Sequence, residues 1–274
     1  LMDPTLTLLQ IIVLAIVQGV TEFLPISSSG HLVIVPKLTD WPDQGLMMDV
    51  GVHVGTLMAV IFYFRKDVTR LFIAFINFIT FRNKYDKCDR HLMLALIIST
   101  IPIVIFGALA AKFNLTDVWR TIEIIGWTSI TFGLLLYWFD TKSGSQNNLS
   151  KLSFKNAAII GFAQVFAIIP GTSRSGVTMT AARALGFNRI DAARFSMLMS
   201  IPTIMAAALL QLKELFEVNN LTLGSDLILG MTISFIAALI TIKGLLRWLE
   251  HASMTPFVIY RIALGVALLI MVYS

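Results

Sequence analysis

The stretch that decides the fold is "PGTSRSG", Pro170 to Gly176. The eighteen residues from Asn156 to Ser173 hold no charge, and after Arg174 eight more uncharged residues precede Arg183. An arginine framed by two serines and two glycines thus interrupts an apolar region. A second stretch has the same character: "PISSSGH", Pro25 to His31, follows an apolar run over 4–24 and precedes a short one ending near Leu38. As a helix, the segment from His31 to Thr39 would be only ~13 Å long, under half the hydrocarbon thickness. Each region therefore reads as two half-helices meeting at a loop, a re-entrant hairpin over 4–39 and another over 156–186. Non-helical backbone at that depth must be buried in protein or line a cavity.

The composition agrees with a membrane setting. The chain has 274 residues, 57% hydrophobic and 14% charged, with mean hydropathy +0.81, against a charged fraction of about 25% in soluble domains. Six uncharged runs approach the ~20 residues that cross a bilayer: Val50–Phe64, Leu92–Ala111, Ile122–Phe139, Phe195–Leu212, Leu227–Ile242 and Pro256–Tyr273. They are too long for barrel strands and lack strand alternation. The expectation is an all-α polytopic membrane protein, a single domain of six transmembrane helices and two re-entrant hairpins. A signal peptide fits poorly, because Asp3 precedes the first apolar run without a basic segment. Cys88 is the single cysteine, so no intramolecular disulfide forms, and no Cys/His cluster has zinc-like spacing.

The two interruptions repeat each other. Gln18 and Gln164 are 146 residues apart, as are Ser29-Gly30 and Ser175-Gly176. Three crossings lie between the motifs, so an inverted-topology repeat is expected, one copy over about 1–139 and the other over about 140–274, with a site near the midplane where they meet. Lys and Arg set the orientation. One side receives fifteen, in 65–90, 140–155, 183–194 and 243–251; the other receives Lys37, Lys112, Arg120 and Lys213. The first side is expected to be cytoplasmic, with both termini outside. This topology accounts for the net charge of +5 without nucleic acid.

Gln18 and Glu22, four apart, share one helix face just before the first break. Ser27, Ser28, Ser29, Gly30 and His31 follow; the second loop brings Ser173, Arg174, Ser175 and Gly176, with Thr178 in the next turn. If the tips meet, two helix N-termini, expected after Gly30 and Gly176, and a guanidinium fork face one point, a site suited to phosphate. Arginine at that depth costs roughly 2.5–3.5 kcal/mol on insertion scales, and an anionic ligand is the reason that best accounts for it. Plainer readings stand beside this one. The serines can be helix caps, Glu22 and Arg174 a structural ion pair, Asp49 and His53 an interfacial pair, and Arg261 a snorkelling or paired side chain.

"QGVTEFLPISSSGH" (Gln18 to His31) and "PGTSRSGVT" (Pro170 to Thr178) resemble the two signature motifs of the bacterial undecaprenyl-diphosphate phosphatase family, of the bacitracin-resistance type. Both occur in the family's order and separation, and the resemblance runs over essentially the whole chain. It implies a multi-pass enzyme of the bacterial cytoplasmic (inner) membrane with its site opening toward the periplasm. Such an enzyme hydrolyses undecaprenyl diphosphate to undecaprenyl phosphate and inorganic phosphate, recycling the lipid carrier for peptidoglycan and other envelope polymers. The resemblance also implies a divalent cation, Mg²⁺ or Ca²⁺, with Gln18 and Glu22 as ligands. Gln18 stands where the family pattern takes Glu or Gln, so its contribution is a neutral oxygen. Glu22, Ser28, His31 and Arg174 are the implied catalytic residues, and Ser27, Ser29, Gly30, Ser173, Ser175, Gly176 and Thr178 the implied substrate contacts. The partners are the polyprenyl diphosphate lipid and membrane lipids, with room for a homodimer. Chemically, Ser28 with His31 would supply a nucleophile and its base. Broken helices in an inverted repeat also characterise transporters, so a polyprenyl-phosphate flippase using the same anion site is the alternative.

Overall fold

A computed structural model describes residues 6–81, 86–113, 115–144, 147–217 and 224–274, with side chains except at 116, 117 and 212–217. Pro4, where the first apolar run begins, the side chain of Lys213, and Arg82 and Lys84 of the charge count lie outside it. The α-helices among the described residues run in the order α1 (Leu8–Thr21), α2 (Ser28–Thr39), α3 (Gly45–Tyr63), α4 (Arg65–Ile79), α5 (Lys87–Lys112), α6 (Leu115–Trp119), α7 (Ile122–Lys142), α8 (Phe154–Gln164), α9 (Arg174–Ala184), α10 (Arg189–Glu217), α11 (Ser225–His251) and α12 (Thr255–Tyr273).

Six of these, α3, α5, α7, α10, α11 and α12, are long and apolar enough to cross a membrane, and each contains most or all of one expected run. They extend past the uncharged runs, because a helix carries its first and last charged turns into the headgroup layer. Helix starts follow local chemistry: Thr7 and Gln10 form a capping box on α1, while Asp86, Thr121 and Ser153 cap α5, α7 and α8. The two breaks fall where expected, between α1 and α2 and between α8 and α9. The sequence reading did not resolve α4, whose charges resembled a loop. It is an amphipathic helix that leaves Phe72, Phe75 and Ile79 exposed.

Helix pairing is reciprocal between the halves. α1 packs on α11 while α8 packs on α5; α3 packs on α11 while α10 packs on α5; α3 meets α10 and α7 meets α12. Close approach is bought by small residues: a Cβ on Gly19 would lie 2.6 Å from the Ser234 carbonyl, and one on Gly55 2.3 Å from that of Met231, both on α11. The main core draws on α3, α5 and the helices from α7 to α12 and includes Phe23, Met179, Phe195, Leu136 and Val258. At the Lys/Arg-rich end, buried Asp140 joins four elements. It accepts from Arg183 Nε (3.2 Å), Arg189 Nε (2.7 Å) and the Met254 N–H (3.0 Å), fixing α7, α9, α10 and the start of α12 together.

Candidate active site

α1 ends at Thr21, and the N–H of Glu22 still bonds to the Gln18 carbonyl. The chain resumes helix at Ser28. Its cap is Ser27, held at φ 75°, with Oγ accepting from Gly30 N–H at 3.3 Å. The second break repeats this local geometry 146 residues later: Ser173 has φ 71° and accepts from Gly176 N–H at 3.1 Å. The helices thus begin at Ser28 and Arg174, earlier than expected, because the capping hydroxyls belong to Ser27 and Ser173. Non-glycine residues in this backbone region are strained and persist only where the surroundings hold them.

What holds them is Arg261 of α12. It is fully buried, and its guanidinium donates to the carbonyls of Pro25 (3.3 Å) in the first loop and of Gly171 and Thr172 (2.9 Å each) in the second. Two further bonds reach the α7 carbonyls of Thr128 and Ser129 at 3.4 and 3.3 Å. Neither snorkelling nor a carboxylate partner describes it. A broken helix leaves carbonyls without partners where no water competes, and a guanidinium supplies five N–H donors at once. The fit dictates glycine. A Cβ on Gly176 would lie 2.8 Å from Arg261 Nη1, and Gly171 combines φ +86° with a Cβ position 2.2 Å from Thr128 Oγ1.

With the loops so tied, their tips converge on Glu22. Its Oε2 accepts from Ser28 Oγ at 2.7 Å and Gln18 Nε2 at 2.9 Å; its Oε1 accepts from Arg174 Nη2 at 2.9 Å. His53 of α3 brings Nε2 to 3.8 Å from Oε2. A cavity of about 230 Å³ opens here, lined by polar Glu22, Ser28, His53, Ser173, Arg174, Thr203 and Gln211 and by apolar Ile103, Ile168, Ile204 and Ala208. Ser27 and Ser29 also line it.

The structure therefore joins Gln18, Glu22, Ser28 and Arg174 directly, with Ser27, Ser29 and Ser173 around them. It does not bring His31 to Ser28. The His31 Nδ1–H donates to the Ser27 carbonyl (2.6 Å), Nε2 lies 2.6 Å from the Tyr260 hydroxyl, and the ring stacks on Tyr260. Ser28 instead points its hydroxyl at Glu22, because the first helical turn carries residue 31 around to the α12 side. Ser175 and Thr178 also turn away from the cavity. Ser175 Oγ donates to the Leu24 carbonyl at 2.8 Å, tying one loop to the other. Thr178 Oγ1 pairs with Ser196 Oγ at 2.7 Å and with the Arg174 carbonyl at 2.9 Å. The N–H groups of Gly30 and Gly176 are taken by the capping serines.

The sequence reading missed His53, which it paired with Asp49. The Asp49 carboxylate in fact accepts from Gln44 Nε2 at 2.7 Å, and His53 uses only the Asp49 carbonyl. The i, i+4 spacing gave the helix face, and nothing in it told which way that face looked. For a cation, no three His, Cys, Asp or Glu side chains converge among the described residues. Glu22 and the buried Gln18, whose Oε1 has no hydrogen-bond partner, are a donor set suited to an ion that completes its shell with phosphate oxygens and water.

Known proteins are similar to this chain in sequence over nearly its whole length. The family model described as "Bacitracin resistance protein BacA" matches residues 11–267. A protein of Roseobacter denitrificans named undecaprenyl-diphosphatase is 44% identical over 269 residues, covering 98% of this chain and 100% of the relative. One of the same name from Alteromonas mediterranea is 46% identical over the same extent. A third, from Magnetococcus marinus, is 47% identical over 93% of this chain and 96% of its own. With the match running from α1 through both broken helices into α12, the chain belongs to the bacitracin resistance protein BacA family.

Proposed function

We propose that the chain hydrolyses undecaprenyl diphosphate to undecaprenyl phosphate and inorganic phosphate in the membrane. The observation that carries this is the Ser28–Glu22–Arg174 group on the wall of a cavity that apolar side chains also line. A prenyl diphosphate is charged at one end and aliphatic at the other, and this cavity offers charged and apolar lining side by side. Full-length relatives named undecaprenyl-diphosphatase support the reading.

Each residue has a task that follows from its contacts. Arg174 lines the cavity and gives phosphate oxygens a planar, charged donor that strengthens as charge builds in transfer. Ser28 is the nucleophile: its Oγ attacks the terminal phosphorus, its proton passes to Glu22 Oε2, and the P–O bond to the lipid monophosphate breaks. Water then attacks the phosphoserine, releasing phosphate and restoring the hydroxyl. Glu22 takes the base role first assigned to His31, whose ring holds the loop against Tyr260. A cation held by Glu22 and Gln18, Mg²⁺ or Ca²⁺ by resemblance, would neutralise phosphate charge.

The reciprocal pairing of α1–α11 with α8–α5, and the equal spacing of the two strained serines, support an inverted repeat with re-entrant hairpins. The Lys/Arg asymmetry supports a cytoplasmic side at the start of α5 and α10, which puts Ile103, Ile204 and Ala208 in the outer halves of their helices and the cavity toward the periplasm. The deciding assay is phosphate release from undecaprenyl diphosphate by purified protein in detergent, where sidedness is absent. Turnover supports hydrolysis; binding without release supports the flippase reading.

A further inference from the structure

His53 joins the site without a role in the steps above. Its Nδ1 lies 2.7 Å from the Asp49 carbonyl. A carbonyl only accepts, so Nδ1 carries the hydrogen, and the neutral ring has its lone pair on Nε2. That lone pair lies 3.8 Å from Glu22 Oε2, on the cavity wall. In that neutral tautomer two electron-rich atoms face each other, a pair that a cation would bridge. Gln18 gives an independent sign: it is fully buried, and its Oε1 has no partner. A half-turn of its amide puts Oε1 where Nε2 now stands, 2.9 Å from Glu22 Oε2. Neighbouring donors on an octahedral ion with bonds of ~2.1 Å are about 3 Å apart, and on a tetrahedral one about 3.4 Å. The Gln18–Glu22 spacing meets the first value; the His53–Glu22 spacing of 3.8 Å needs about 0.8 Å of closure to meet it and about 0.4 Å to meet the second.

We propose that His53, Glu22 and Gln18 form a three-donor cation site that prefers a first-row transition ion to Mg²⁺ or Ca²⁺. The inference rests on reading Glu22 and Gln18 as cation ligands and adds the nitrogen. Its chemical reason is the donor set. One carboxylate, one amide oxygen and one imidazole give little of the anionic, all-oxygen shell that Mg²⁺ and Ca²⁺ take, whereas an imidazole nitrogen favours transition ions. Mn²⁺ binds weakest of that series, which makes it the strict probe.

The test uses substrate-free protein in detergent and Mn²⁺ alone. Free Mn²⁺ is followed by electron paramagnetic resonance during titration, with Ca²⁺ as competitor, and electron spin-echo modulation reads ¹⁴N coupling to the bound ion. The expected result is a site holding Mn²⁺ more tightly than Ca²⁺, with imidazole ¹⁴N modulation. His53→Gln should remove the modulation and weaken Mn²⁺ about tenfold or more, with Ca²⁺ affinity changed less than about twofold. His31→Gln should keep the modulation. Bound Mn²⁺ without ¹⁴N modulation in the unaltered protein would overturn the proposal, and needs no variant to fold. So would Mn²⁺ affinity unchanged in His53→Gln, which would assign the gap to a proton and an imidazolium–carboxylate pair. Unchanged Mn²⁺ binding in Glu22→Gln would instead overturn the underlying cation reading.

Discussion

Glu22 accepts three hydrogen bonds, one of them from the guanidinium expected to hold phosphate. A diphosphate must therefore compete with Glu22 for Arg174, and the shape of the donor matters. Arg174→Lys keeps the charge but loses the fork; at ~1.5–3 kcal/mol per lost charged bond, phosphate release should fall on the order of a hundredfold. Near-normal turnover in that variant would refute fork recognition. Ser28→Ala removes the proposed nucleophile and should leave less than a few per cent of turnover, and rapid acid quench with substrate labelled on the terminal phosphate should show label on Ser28. If Ser28 merely bonds a phosphate oxygen, substantial activity survives and no labelled peptide appears. Ser27 and Ser173 matter differently, because their hydroxyls cap helices and their backbone is strained.

At the scale of elements, the site depends on a tether remote from the chemistry. Arg261 sits on α12, yet it fixes how far the Pro25 loop stands from the Gly171 loop, and so the 2.9 Å contact between Glu22 and Arg174. Removing it orphans buried carbonyls at ~1–3 kcal/mol each. Arg261→Met should lower the unfolding midpoint in detergent and reduce activity together. Gly176→Ala pushes a methyl against the same guanidinium and should cost about 1–3 kcal/mol, read as a drop in thermal midpoint. An alanine variant with wild-type stability and turnover would remove the tether from the account.

For the whole molecule, orientation is the property with the sharpest check. Cys88 opens α5 at the Lys/Arg-rich end and is exposed. In intact cells a membrane-impermeant thiol reagent should leave it unlabelled until the membrane is permeabilised. Labelling from outside would reverse the proposed topology and, with it, the proposed periplasmic opening of the cavity. The ion-pair network around Asp140 lies at the same end, where it ties four helices without touching the cavity.

By itself the sequence determined the class, the six crossings and the two breaks. Bilayer thickness and the cost of stray charge leave few ways to arrange runs of that length and spacing. It also pointed to Glu22 and Arg174 as members of two similar loops, since the equal 146-residue offsets and an arginine in an uncharged region are both visible in one dimension. The tertiary structure alone decided which residues face the cavity. Ser28 and His31 are three apart in one helical turn, yet one reaches Glu22 and the other Tyr260, because rotation about the axis is set by the neighbouring helices. Thr178 and Ser175 match the motif but bond to the scaffold, whereas His53 lies outside both motifs and reaches the site from α3. Arg261 read as an awkward charge in a span and is the donor that satisfies both broken backbones. Its acceptors lie 89 to 236 residues away, and only packing brings such distances together.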